Sequence, residues 1–230
     1  MGADAETMRD PRACFRWLHR LVLEGDERLR PVAPVEEALG APLSELGASV
    51  RRSVWHMTYA PAWQDVRQAR ALAEAGRRPG IDGRYVTTPH TVLRLPLLTS
   101  HHVGMRLAPV IAPLLVVDAR TVFVGGPVGH DTSGTVWCST VPHVVAAAVA
   151  CFDAVWTDSE PALPPGQALP FTPRMVEIGF HLTDGASDRE IARELHLSQR
   201  TISAEVAEIV RRLGARNRAH AIALISTGTY

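Results

Sequence analysis

His101 and His102 stand side by side, with His90 not far upstream, and imidazoles so grouped are the residues a metal ion would use. Read on a strand, adjacent histidines point to opposite faces, so a shared ion is not expected and a satisfied or exposed pair is. The cysteines, Cys14, Cys138 and Cys151, are odd in number and lack ligand-like spacing; they are expected as reduced thiols. No metal or other cofactor is implied. A different chemistry is suggested by LHLSQRTISAEVAEIVRRLG, residues 195 to 214. On a helical wheel Arg200, Ser203, Ala204, Ala207 and Arg211 share one face, opposite an apolar stripe of Ile202, Val206 and Ile209. Two guanidinium groups there bracket three small side chains.

The whole chain supplies no field to help such a helix. It has 230 residues with 24 basic and 24 acidic side chains, so attraction to DNA must be local. Every basic residue is arginine, because lysine does not occur. The acidic start, MGADAETMRD, lacks an apolar core, and the longest apolar run, VVAAAVACF, is too short to span a bilayer. These features favour a soluble, cytoplasmic protein of about two domains without a membrane partner.

Residues 158–173 read DSEPALPPGQALPFTP, where the prolines forbid a continuous helix and favour an extended connection. Four short helical patterns follow. Thr172 and Pro173 give an N-cap and first-turn proline, and Ser187 with Glu190 makes a capping box ahead of Ile191 and Ala192. Ser198 caps the third, Gly214 ends it as a left-handed C-cap, and Asn217 caps the fourth. This stretch, with T-P-R, the Gly185 turn, S-D-R-E-I-A-x-E-L, L-S-x-R-T-I and R-R-L-G-A-R-N-R-A-x-A-I-A-L, resembles the LuxR-type (NarL/GerE-like) DNA-binding domain. The resemblance implies four helices, with 188–196 as scaffold and 199–213 as recognition helix in the major groove. Ser198, Gln199, Arg200, Thr201, Ser203, Ala204, Ala207 and Arg211 are then the expected DNA-binding residues. The chain departs from the family at Ser203, where Lys or Arg is usual, and at Glu205, often His. It also departs at Met175, where Glu would complete a capping box, and at Gly179, where a leucine normally packs. Glu208 is expected to pair with Arg212 as an ordinary solvated helix pair.

Upstream, residues 10–50 carry two helical patterns, one with Phe15, Leu18, Leu21 and Val22 at helical spacing, for which a core or dimer-forming role is expected. RSVWHMTY, QDVRQARALAEAGR and IDGRYVTT read as strand, helix and strand. GMRLAPV, PLLVVDARTVFVGG with a turn at Asp118-Ala119-Arg120, and TVWCST read as further strands. Pro142 opens an apolar helix, VPHVVAAAVACFDAVW. This order, and PLLVVDARTVFVGG before a helix ending in FDAVW, looks like the phospholipase-D-like sensor domain of TrmB-type and many LuxR-type regulators. The active phosphodiesterases carry H-x-K-x-x-x-x-D in that segment. Here Ile111 and Pro113 stand at the His and Lys places and Asp118 at the last, so no catalytic residue and no enzyme is expected.

The expected architecture is an N-terminal helical segment (1–50), an inactive phospholipase-D-like α/β sensor domain (51–158), a proline-rich linker (159–170) and an all-α LuxR-type helix-turn-helix (171–230). The expected function is a sequence-specific transcription regulator whose sensor, answering a small-molecule or protein effector, controls a homodimer on an inverted-repeat operator in double-stranded DNA. Three alternatives stand beside it. A phosphorylated receiver domain lacks its lysine. An acyl-homoserine-lactone receptor would use Trp55, Tyr59, Trp63 and Asp65, aromatics whose spacing also suits a core. A protein-interaction module that has lost specific DNA binding is motivated by Ser203 and Glu205.

Overall fold

A computed structural model describes residues 7–38 and 41–227; the acidic start, residues 1–6, and the last three residues lie outside it. The chain divides into two compact units. The first comprises residues up to 60, 68–88 and 105–161, and the second 61–67, 89–104 and 162–230.

The first unit is built on one sheet. Asp10 and Pro11 start α1 (Pro11–Leu23), the Asp10 carboxylate accepting the Arg12 N–H at 3.0 Å. Next come β1 (Arg30–Pro34), α2 (Val35–Ala38) and α3 (Ala41–Ser49). Then β2 (Ser53–Met57), α5 (Arg70–Arg77) and β3 (Asp82–Thr87) form the strand, helix, strand unit, with β2 and β3 parallel; α4 (Trp63–Gln68), which comes between β2 and α5 in sequence, falls almost wholly in the second unit. Past α6 (Pro89–Arg94) and α7 (Leu98–His101) run β4 (Arg106–Leu107), β5 (Leu114–Val117), β6 (Thr121–Gly125), β7 (Thr135–Ser139), α8 (Pro142–Asp158) and β8 (Glu160–Pro161). The spatial order is β1-β7-β6-β5-β2-β3-β4-β8. Strands β2, β3 and β4 are parallel and the other pairs antiparallel, giving a mixed sheet.

Side chains alternate between two cores. Trp55, Met57, Leu114, Val116, Val122 and Val124 meet α1 and α8 on one face. Val54, Leu115 and Val117 meet Val50, Leu72 and Ala75 on the other. Helix α5 reaches β3 closely enough that a Cβ on Gly83 would stand 2.4 Å from the Gly76 carbonyl oxygen, so only glycine fits there.

Several expectations change. The segment 10–50 holds a strand as well as helices: RPVAP forms β1, an edge strand beside β7, the place where a sheet tolerates proline. Phe15, Leu18, Leu21 and Val22 are buried against α8 within the same chain, so this apolar face is already covered. The GMRLAPV strand shrinks to β4. Helix 63–77 is broken at Ala69. His101 and His102 lie at the end of α7 rather than on a strand, their rings edge to face at 4.6 Å.

Candidate DNA interface and the hairpin at Asp118

The second unit contains the four expected helices, α9 (Pro173–Thr183), α10 (Asp188–Glu194), α11 (Gln199–Arg212) and α12 (Arg218–Thr227). Their caps follow the sequence. Thr172 accepts the Met175 N–H, and Ser187 and Glu190 form the reciprocal box. Ser198 accepts the Thr201 N–H at 3.0 Å, and Asn217 the His220 N–H at 2.9 Å. The turn between α10 and α11 puts His196 at φ 53°, a left-handed position that Asn, Asp and His tolerate best.

On α11, Ile202, Val206 and Ile209 are buried, while Gln199, Arg200, Ser203, Ala204, Ala207 and Arg211 are exposed. The wheel is as expected, but several polar groups on it are already engaged. The Ser203 hydroxyl donates to the Asp188 carboxylate at 2.6 Å, and Asp188 also holds Arg218. Burial pushes the Asp188 pKa up, and the bonds from Ser203 and Arg218 outweigh it, leaving it below the ordinary value. The Thr201 hydroxyl lies 2.8 Å from that of Ser198. Arg211 grips Glu208 through two nitrogens, and Arg212 donates to the same carboxylate at 2.7 Å and to the Pro170 carbonyl at 2.6 Å. The two arginines together hold the Glu208 pKa down at about 2. The simple Glu208–Arg212 pair is therefore a three-residue cluster that includes Arg211. Glu205 pairs with Arg174 at 3.4 Å. Arg200 makes no ion pair among the described residues and is the free cation of the expected set. Helix α10 also exposes Arg189 and Arg193, one turn apart and flanking buried Ile191 and Ala192; that spacing is visible in DREIARE.

The core under α9 is not made by its own bundle alone. Trp63 stacks on Phe180, ring centroids 4.7 Å apart, and His101 meets the same ring edge-on at 5.3 Å. Arg67 pairs with Asp184, and the Phe171 N–H donates to Ser100 Oγ at 3.0 Å. Leu95, Leu97 and Leu98 are fully buried. The aromatic set of the lactone alternative is thereby dispersed. Trp63 packs on Phe180, Trp55 stacks on Phe152 at 5.6 Å beneath the Arg84 guanidinium, and Tyr59 is exposed. Asp65 accepts the Ala62 N–H at 2.7 Å.

In the first unit Asp118 and Ala119 both take left-handed φ, 55° and 49°, in the three-residue turn 118–120 that joins β5 to β6, with the Arg120 N–H donating to the Val117 carbonyl at 3.0 Å. The Asp118 carboxylate reaches across to the start of β2, accepting the N–H groups of Arg52 at 2.7 Å, Ser53 at 3.0 Å and Arg51 at 3.1 Å. Ile111 is exposed and Pro113 half-buried just before β5. A groove of about 1130 Å³ runs along the outer side of α8, over Pro142, Ala146, Val149, Ala150 and Ala154. Among the described residues no cluster of His, Cys, Asp and Glu could hold a metal ion, the cysteines are free, and no helix is long and apolar enough to cross a membrane.

Residues 169–225 match the family of bacterial regulatory proteins, luxR family. The response regulator RamR of Streptomyces coelicolor is 36% identical over 110 residues, 47% of this chain and 53% of that protein. The transcriptional activator protein BjaR1 of Bradyrhizobium diazoefficiens is 41% identical over 73 residues, 32% of this chain and 29% of that one. The chain thus spans about half the length of the first relative and under a third of the second. Among solved structures, TrmBL2, an archaeal chromatin protein, aligns with 66% of this chain and 62% of its own at 15% identity and a TM-score of 0.44. The phospholipase D family member Nuc of Salmonella typhimurium covers 52% of this chain and 88% of its own, at 15% and 0.39. NucT of Helicobacter pylori covers 58% and 96%, at 14% and 0.41. Capped helices, the turn at His196 and the family match together identify residues 169–225 as a LuxR-family helix-turn-helix domain.

Proposed function

We propose that the chain is a transcription regulator that docks α11 in the major groove of double-stranded DNA and whose sheet domain acts as a non-catalytic sensor. The observation that carries this reading is the exposed face of α11, where Arg200 is free and Ala204 and Ala207 allow close approach. Arg200, Arg189 and Arg193 would hold phosphates, with Ser198, Gln199, Thr201, Ser203 and Arg211 completing the contact after exchange of their present partners. The sensor reading rests on Asp118, whose carboxylate ties a turn to β2 instead of serving a reaction. Gel-shift of the full chain against its own upstream DNA tests the proposal. Binding that survives excess unrelated duplex supports it; no binding even at low salt overturns it.

A homodimer on an inverted repeat belongs to the same reading. With α1 covering one side of α8, the groove over Ala146 and Ala150 offers further apolar surface among the described residues. Arg120 lies beside the start of α8, since β6 pairs with β7 there, and Asp158 at the other end. Two copies packed antiparallel about Ala150 would bring each Arg120 to the other copy's Asp158. Ala150→Arg should then yield a monomer by sedimentation; an unchanged mass would exclude this face. The engagement of Ser203 by Asp188 and of Arg211 by Glu208 favours a second reading, a module whose DNA binding is salt-dependent but indifferent to sequence. Equal affinity for upstream and scrambled duplexes would select it.

A further inference from the structure

Gly179 lies in the middle of α9, where glycine weakens a helix by about 1 kcal/mol relative to alanine. Its place is explained by what stands against it. A Cβ on Gly179 would lie 2.5 Å from Leu97 Cδ1, with Ile225 Cδ1 next at 4.0 Å. Leu97 is fully buried, so its side-chain end would have to turn aside within a packed core. It comes from the connection between β3 and β4, whose ends are paired strands of the sheet. The same connection contributes His101 against Phe180 and Ser100 against the Phe171 N–H. The connection after β2 contributes Trp63.

We propose that Leu97 completes the DNA-binding unit from within the sheet domain's sequence, filling the slot that Gly179 leaves open, and that this lock is the lever through which a change at β3 or β4 loosens or tightens α9. A displacement of the 89–104 segment cannot spare α9, because close-packed side chains re-seat or open a void rather than stretch. The lock would act as a regulatory device of the DNA-binding reading above, on which its functional meaning rests.

The test uses the full chain and hydrogen exchange, with generic duplex DNA as the probe at low salt. Leu97→Ala should speed exchange in 173–183 roughly thirtyfold or more, as a buried leucine-sized cavity would. Gly179→Leu alone should also speed it, despite the better helix former. The double variant should return most of the protection, because the new side chain occupies the vacated slot. If Gly179→Leu does not fold, Gly179→Ala serves through its sign: it should speed exchange beside Leu97 and slow it in the Leu97→Ala background. Effects that merely add would overturn the lock. DNA should slow exchange in 89–104 as well as 173–183 in the natural sequence, and only in 173–183 in the double variant. An unchanged 89–104 in DNA-bound protein would overturn the lever. Failure to bind any DNA would overturn the DNA-binding reading instead, while the compensation between positions 97 and 179 would still decide the lock.

Discussion

Asp118→Ala is expected to destabilise the first unit by about 2–3 kcal/mol without loss of any catalytic activity. A hydrogen bond to an ionised group contributes about 1.5–3 kcal/mol net, and three N–H groups converge on this carboxylate. Simple addition overstates the effect. Arg51 and Arg52 are exposed, so water replaces the carboxylate at their N–H groups, and exposure of Asp118 itself screens the charge. The partly buried Ser53 N–H then dominates at roughly 2 kcal/mol, and alanine at φ 55° adds up to about 1 kcal/mol of left-handed strain. The pH dependence carries the sign. Burial raises the Asp118 pKa, but the N–H groups of Ser53, Arg52 and Arg51 outweigh it and leave it below its ordinary 3.8. A carboxyl whose folded pKa is depressed contributes stability present above the unfolded value and lost as pH falls through the folded one. Urea unfolding of both proteins, followed by tryptophan fluorescence, should show a constant gap from neutral pH to about pH 5 that narrows below pH 4. A gap under about 0.5 kcal/mol at neutral pH, well short of one hydrogen bond to a charged group, or phosphodiester hydrolysis that vanishes in the variant, would refute the reasoning.

Ala119→Gly, one residue on, should stabilise the protein by about 0.5–1 kcal/mol in the same unfolding assay, because glycine takes the left-handed position without strain. Glu208→Ala should free Arg211 and Arg212 for phosphates, raising affinity for generic duplex and steepening the log-affinity against log-salt slope by about one unit; an unchanged slope would mean that neither arginine reaches DNA. Ser203→Lys should steepen the slope by a similar amount, and Arg218, still paired with Asp188, should keep α10 tied to α12; a fall in thermal stability would show that the Ser203 bond between α11 and α10 matters more than that pair.

Local signals carried the four-helix bundle. Pro173, Ser187, Ser198 and Asn217 mark helix starts by chemistry confined to a few residues, and Pro142 does the same for α8. The β5–β6 hairpin is legible because the two apolar runs in PLLVVDARTVFVGG are separated only by the polar turn at 118–120. What escaped depends on partners distant in sequence. RPVAP has two prolines, no alternation and Val32 as its one β-former, and becomes a strand because β7 offers an edge. Ser203 reads as a groove residue until Asp188 is brought beside it, and Arg211 as a free cation until its rotamer meets Glu208. The glycine at 179 is visible as a gap, but nothing local names Leu97 as the residue that fills it. The apolar faces of α1 and α8 look surplus in sequence for a similar reason, since only the fold shows that they cover each other.

The interleaved make-up of the second unit also sets a timetable for synthesis. Trp63, Leu95, Leu97 and Leu98 leave the ribosome long before α9 to α12, the helices that bury them. At about 5–20 residues per second, the wait from residue 104 to the end of α12 is on the order of ten seconds. During that interval the nascent chain carries a folded or folding sheet with two unsatisfied apolar segments hanging from adjacent parallel strands. Such a chain is a natural client for chaperones, and a message cut short after residue 161 would leave a product with those side chains permanently bare, fit for proteolysis rather than for a stable life of its own.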